Sequence, residues 1–218
     1  MDFTIVNKMI TLVAKRNSGK SFLLKWLVEQ YKDSFEKIFV ICPTEQINSF
    51  YQRNEFIEPQ YIFETYDESW CEALIAKMTR LNKGKSSEEA QHVLLIIDDV
   101  VADTSFHQSP SLKKLFIRGR HIFITVMITS QYLNAIPPIA RSNSDFVCVG
   151  QLNKQGLDIL SDEFIKAGMT KDEFVSIYKK ATVDYSFLLI NNNSVKSEDP
   201  NETYGTLKTP ADFMNANK

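Results

Sequence analysis

The segment Ala14-Lys15-Arg16-Asn17-Ser18-Gly19-Lys20-Ser21 has the residue types and spacing of a phosphate-binding loop, G-x-x-x-x-G-K-[ST], with alanine at the first glycine position. In such a turn, successive backbone N–H groups form a nest for phosphate oxygens, and the following helix adds the positive end of its dipole. The residues expected to bind a nucleoside triphosphate are Asn17, Ser18, Gly19, Lys20, Ser21 and Phe22. Lys20 would set its ammonium against the β- and γ-phosphates, and the Ser21 hydroxyl would ligate Mg²⁺, so ATP and Mg²⁺ are the expected cofactors. Gly19 lets the backbone approach phosphate closely. Ala14 fits only with an ordinary negative φ. Lys15 and Arg16 either contact phosphate or point towards a neighbouring subunit.

A second group of chemical residues is Asp98-Asp99, at the end of the apolar run Val93-Leu94-Leu95-Ile96-Ile97. Five consecutive apolar residues read as a strand buried on both faces, and ligands of open α/β sheets bind at the C-terminal ends of such strands. Asp98 is the candidate metal carboxylate and Asp99 the candidate general base acting on water. Gln131, after the apolar run Phe123 to Thr129 and Ser130, would reach the γ-phosphate from the adjoining strand if the strand order is RecA-like. The competing readings are a basic turn without ligand, two solvated aspartates, and a glutamine capping a loop.

The elements that must position these groups alternate. Strands are expected at Met9 to Val13, Lys37 to Cys42, Tyr61 to Thr65, Val93 to Ile97, Phe123 to Ser130, Asp145 to Gly150 and Tyr185 to Asn191. Helices are expected at Ser21 to Tyr31, Asp67 to Leu81, Ser109 to Arg118, Gln155 to Lys166 and Thr170 to Ala181, the last opened by the capping box Thr170-Lys171-Asp172-Glu173. Alternation implies parallel pairing, hence an α/β fold, one domain with a mostly parallel central sheet flanked by helices and, with the phosphate loop, of the P-loop NTPase kind. Residues 1–191 would form this domain and 192–218 a polar, mobile C-terminal tail or arm.

With 218 residues, a formal charge of −2 and 44% hydrophobic residues, the chain can bury a core of this kind. No apolar run approaches a membrane span, and the N-terminus lacks the zones of a signal peptide, so a cytosolic or nuclear setting is expected. Cys42, Cys71 and Cys148 read as buried thiols, and His92, His107 and His121 are too scattered for a metal cluster. Lys77, Arg80, Lys83 and Lys85 form one basic cluster, and Lys113, Lys114, Arg118 and Arg120 another; each is either a track for DNA phosphates or an ordinary solvated face.

The phosphate loop, the strand ending Asp98-Asp99, Gly119-Arg120-His121, Gln131 and the run Pro137-Pro138-Ile139-Ala140-Arg141-Ser142-Asn143 occur together in order. In these residues, over roughly 9 to 150, the chain resembles the genome-packaging ATPases of large DNA viruses, the poxvirus-type branch of the FtsK/HerA superfamily. The resemblance implies a RecA-like core that assembles as a homo-oligomeric ring, a pentamer or hexamer, and couples ATP hydrolysis to movement of double-stranded DNA into a capsid. It further implies capsid or portal-vertex partners, and action in the host-cell cytoplasm at the site of virus assembly, in the nucleus, or with the virion. The superfamily often has Asp-Glu where this chain has Asp98-Asp99. A ring motor also delivers an arginine to its neighbour's nucleotide; Arg120 and Arg141 are the candidates, and either could instead be a structural ion-pair partner.

Two other functions share the loop. A small-molecule phosphotransferase would need a basic lid, for which Lys77 to Lys85 is the available segment. A nucleotide-binding assembly scaffold would bind without turnover.

Overall fold

The apolar runs become the inner strands of one eight-stranded sheet. The computed structural model describes residues 3–53, 56–99, 106, 108–194 and 199–216; His107 and tail residues 195–198 and 217–218 lie outside that set. In chain order the strands are β1 (Met9–Val13), β2 (Lys37–Ile41), β3 (Ile62–Phe63), β4 (Val93–Asp98), β5 (Ile124–Ser130), β6 (Phe146–Val149), β7 (Ser186–Asn191) and β8 (Tyr204–Lys208). Their order across the sheet is β3-β2-β4-β5-β1-β6-β7-β8. Pairing is parallel from β3 to β6 and antiparallel at β6–β7 and β7–β8. The fold is thus the expected α/β architecture with a mostly parallel sheet, and β5 lies between β4 and β1.

Alternation along each strand divides the core between the two faces. Met9, Val13, Leu95, Ile97, Val126, Ile128, Val147 and Val149 point to one side. There they meet α4 (Glu68–Leu81), α5 (Pro110–Arg118), α7 (Lys154–Phe164) and α8 (Lys171–Ala181), after the short α2 (Glu45–Asn48) and α3 (Phe50–Arg53) and with α6 (Pro138–Asn143) between α5 and α7. Ile10, Leu12, Leu94, Ile96, Met127 and Cys148 point to the other side, against Leu23, Leu24, Leu27 and Val28 of α1 (Lys20–Tyr31). Each face is covered, which is why the inner strands read as unbroken apolar runs.

Side-chain caps fix the helix starts. Asp67 accepts from the backbone N–H groups of Ser69 and Trp70, Ser109 from that of Leu112, and Thr170 and Glu173 complete the expected capping box. The antiparallel end of the sheet departs from the uniform alternation. The turn between α8 and β7 carries Asp184 and Tyr185 in left-handed backbone (φ 49° and 60°), and it returns the chain beside β6 in the reverse direction.

Part of the segment expected to be a tail is structured. After α9 (Pro200–Thr203), Tyr204–Lys208 pairs with β7 as the sheet's edge, and α10 (Ala211–Ala216) follows. An edge strand needs only one apolar face, and Tyr-Gly-Thr-Leu-Lys is too polar to announce itself by hydrophobicity. The third strand is also shorter than expected, two residues of Tyr61 to Thr65, because Pro59–Tyr61 closes a 3-10 turn.

Candidate nucleotide-binding site

The phosphate loop leaves β1 between two neighbours that anchor it. The Ala14 N–H donates to the Ser130 carbonyl at the end of β5 (3.2 Å), and the Lys15 N–H to the Gln151 carbonyl beyond β6 (2.9 Å). Ala14 is fully buried and keeps negative φ, and the neighbouring strand makes room for its methyl. A Cβ built on Gly150 would lie 2.7 Å from the Ala14 Cβ and 2.9 Å from Phe187. The glycine missing from the loop is thus matched by one on the adjacent strand. Asn17 takes left-handed backbone (φ 62°) and Gly19, at φ 84°, is the N-cap of α1. Gly19 carries no side chain to cap the first turn, so helix N–H groups there are available to an anion.

Lys20, Asp98, Asp99 and Gln131 converge across the tips of three adjacent strands. Lys20 Nζ lies 3.8 Å from Asp98 Oδ1 and donates to Thr129 Oγ1 at 3.3 Å, with the two charged side chains only 13% and 15% exposed. Asp98 is held from both sides: Thr129 Oγ1 donates to Oδ1, and the Tyr51 hydroxyl donates to Oδ2 at 2.8 Å. Tyr51 is fully buried; burial and the adjacent Asp98 carboxylate raise its pKa well above the phenol range, so it remains a donor. Burial, then Asp98, pushes the nearby Cys42 thiol up to about 12, keeping it protonated. Tyr51 is itself placed by buried Glu45, whose carboxylate accepts from the backbone N–H groups of Tyr51 (3.1 Å) and Gln52 (2.9 Å).

Asp99, the residue after β4, takes left-handed backbone (φ 56°), and its Oδ2 accepts from Gln131 Nε2 at 2.9 Å. The kink turns the second carboxylate towards the adjoining strand, so neighbouring aspartates face different partners. These side chains, with Lys15, Arg16, Asn17, Gly19, Ser21 and Phe22, line a cleft of about 830 Å³. That volume is of the size small-molecule sites require. The lining also includes Ile47 and Phe50, which follow β2, and Tyr185 and Met214, which precede β7 and follow β8 on the other side of the phosphate loop.

The donor set fits a magnesium ion held mainly by phosphate oxygens and water. Ser21 offers an exposed hydroxyl and Asp98 a carboxylate. Among the described residues no group of three or more His, Cys, Asp and Glu could hold a metal alone, and Mg²⁺ bound with phosphates uses one or two carboxylates.

The two candidate arginines are elsewhere. Arg141 is 6% exposed: Nε and Nη2 grip the Glu163 carboxylate, while Nη1 donates to the carbonyls of Leu133 and Ile136. It clamps the β5–α6 connection to α7, the ion-pair arrangement that was the other reading of this residue, with four of its five N–H donors engaged within the chain. Arg120 lies before β5, at the sheet edge away from the cleft, and its Nη1 pairs with Asp145 Oδ1 at 3.1 Å while remaining 42% exposed.

Sequence reading missed Thr129, Tyr51, Glu45, Tyr185 and Met214. Thr129 is hidden in an apolar strand, and Tyr51 and Glu45 belong to short helices without periodicity.

Comparison with solved structures places the fold. The genome packaging NTPase B204 from Sulfolobus turreted icosahedral virus 2, in complex with AMPPCP, matches with a TM-score of 0.62 at 18% identity, over 93% of this chain and 98% of that one. The monomer form of the pCW3 conjugation coupling protein TcpA with ATPgS matches with a TM-score of 0.65 at 14% identity, over 97% of this chain and 66% of that one. At such identities the likeness is one of fold. Among sequence relatives, the uncharacterized protein 075L of Invertebrate iridescent virus 6 is 26% identical over 202 residues, 92% of this chain and 76% of that protein. The resemblance drawn from separate motifs extends over nearly the whole sequence: residues 4–211 match the Poxvirus A32 protein family, and the chain belongs to that family.

Proposed function

We propose that the protein is an ATPase that drives packaging of viral double-stranded DNA into a capsid, acting as a homo-oligomeric ring of five or six subunits. The single observation that carries this reading is the convergence of Lys20, Asp98, Asp99 and Gln131 at adjacent strand tips, with Lys20 Nζ 3.8 Å from Asp98. Family membership and the packaging NTPase fold support the coupling to DNA.

In this reading the loop N–H groups and Lys20 hold the β- and γ-phosphates and offset the charge that develops on them. Ser21 and Asp98 would hold Mg²⁺, which supplies Lewis-acid polarisation of the phosphate oxygens. Gln131 orients a water, Asp99 takes its proton, and the water oxygen bonds to the γ-phosphorus as the bond to the bridging oxygen of ADP breaks. Asp99 and Gln131 are already paired, so base and orienting group move as a unit. Arg120, the more exposed of the two candidate arginines, is proposed to act in trans on a neighbouring subunit's nucleotide.

The basic clusters support contact with DNA. α4 and α5 pack together, and Lys77, Arg80, Lys83, Lys85, Lys113, Lys114, Arg118 and Arg120 are all exposed on that layer, with Lys114 bridging Glu72 and Arg120 bridging Asp145. Such a face suits phosphate backbone, with sequence-independent and salt-sensitive binding. The same placement disfavours a phosphotransferase. The end of α4 lies at the edge where β4 begins, its Asn82 amide donating to the carbonyls of Gln91 (2.9 Å) and Ile122 (3.3 Å), so Lys77 to Lys85 is no lid for the cleft. Capsid or portal-vertex proteins and an assembly site in the host cytoplasm or nucleus complete the proposal.

The test is ATP hydrolysis by purified, assembled protein with and without double-stranded DNA. Stimulation by DNA, lost in Lys20→Ala, is expected; normal turnover in Lys20→Ala refutes the site. Nucleotide binding with background phosphate release, with or without DNA, would identify a scaffold instead.

A further inference from the structure

We infer that Tyr185, with Met214 in the same lining, forms the nucleoside subsite of the cleft, the tyrosine ring taking the face of the nucleobase. The inference rests on the nucleotide-binding reading above and adds residues outside the motifs.

Strand order sets the positions along the sheet's C-terminal edge. Asp98 ends β4 with Asp99 after it, Gln131 follows β5, the phosphate loop follows β1, Tyr185 precedes antiparallel β7, and Met214 follows β8. The γ-phosphate end is fixed by the carboxylates and Gln131. A triphosphate lying across the loop must therefore send its nucleoside the other way, over Gly19 towards Tyr185. Of the other large apolar side chains of the cleft, Phe22 lies in the first turn of α1 beside the loop, and Ile47 and Phe50 follow β2, beyond Asp98 and on the wrong side for the base.

Tyr185 has the features of a functional rather than a packing aromatic. It is 58% exposed although it faces the cleft, and Asp184 and Tyr185 both adopt left-handed backbone, an arrangement non-glycine residues seldom take. Its Cβ and Cδ1 lie 3.3 and 3.4 Å from where a Cβ on Gly19 would be, so Tyr185 fills the space directly beside the loop. A flat exposed ring beside a phosphate nest suits stacking, which tolerates any base because every base has a π-face.

The test measures equilibrium binding of ATP and of inorganic tripolyphosphate to the wild-type protein, Tyr185→Leu, Tyr185→Phe, Met214→Ala and Lys20→Ala. Tyr185→Leu keeps the atoms nearest Gly19 and removes the flat face; it is expected to weaken ATP roughly tenfold and leave tripolyphosphate unchanged. Tyr185→Phe should bind both as the wild type, and Met214→Ala should weaken ATP alone by about threefold. Wild-type ATP binding in both Tyr185→Leu and Met214→Ala, with both ligands weakened in Lys20→Ala, overturns the inference and leaves the phosphate site standing. Equal loss of both ligands in Tyr185→Leu also overturns it, making Tyr185 a prop for the loop. Undiminished binding of both ligands in Lys20→Ala refutes the underlying site instead.

Discussion

The two ends of the cleft are built on opposite plans. At the carboxylate end, charges are nearly buried and cross-linked: Lys20 to Asp98 and Thr129, Asp98 to Tyr51 and Thr129, Asp99 to Gln131. At the other end an exposed tyrosine and a methionine, from elements far apart in sequence, line an open wall. Preorganised dipoles and charges act most strongly when they need no rearrangement, so the carboxylate end suits bond-breaking. The aromatic end suits binding that tolerates variation. Changes at the first end should therefore reduce turnover, whereas changes outside the cleft should reduce stability and leave turnover per folded molecule intact.

Lys20→Ala should sharpen this contrast most, lowering hydrolysis by about a thousandfold while the thermal midpoint moves little. Arg141→Met should do the reverse. Removing the clamp leaves Glu163 and two carbonyls unpaired at a cost of about 2–3 kcal/mol in denaturant unfolding, reduced from a fully buried pair because Glu163 is a third exposed, with turnover per folded molecule unchanged. A turnover defect in Arg141→Met matching that of Lys20→Ala would break the comparison and return Arg141 to the catalytic machinery.

Tyr51→Phe tests the boundary between the regions. It removes one donor from Asp98 without altering shape, and should cost about 1 kcal/mol in stability and raise the Mg²⁺ concentration for half-maximal turnover about tenfold. The smallest effect concerns Glu68, whose carboxylate accepts from the Ser109 hydroxyl, the Tyr66 hydroxyl and the Ser111 N–H. Burial raises its pKa, but these hydrogen bonds outweigh burial and bring it down to about 2. Because the folded pKa is depressed, its contribution is present above the ordinary glutamate value of about 4.3 and is lost as pH falls through about 2. Glu68→Gln should lose about 1 kcal/mol at neutral pH and flatten the stability profile over that acid range.

What could be read in the sequence follows the same division. The phosphate loop, the aspartate pair and Gln131 are contiguous motifs at the ends of apolar runs, and strand order alone brings them together. The capping box at Thr170 is local and was equally plain. Thr129 was not, since a β-branched residue inside a buried strand gives no sign that its hydroxyl binds both Lys20 and Asp98. Tyr51 and Asp98 are 47 residues apart, and no spacing rule connects them. The antiparallel return into β7 depends on left-handed Asp184 and Tyr185, residue types that do not demand that backbone as glycine would. The clamp at Arg141 was not legible because its partner Glu163 lies 22 residues on, in the following helix.

The central claim is that one triphosphate and one metal ion are held jointly by the Gly19-Lys20-Ser21 turn and the carboxylates at the end of β4. A crystal structure with Mn²⁺ and a non-hydrolysable ATP analogue, with the metal located by anomalous scattering, tests it most directly. The account predicts one metal between the Ser21 hydroxyl and Asp98, in contact with phosphate oxygens from the loop. A metal and triphosphate bound away from either Ser21 or Asp98 would contradict it.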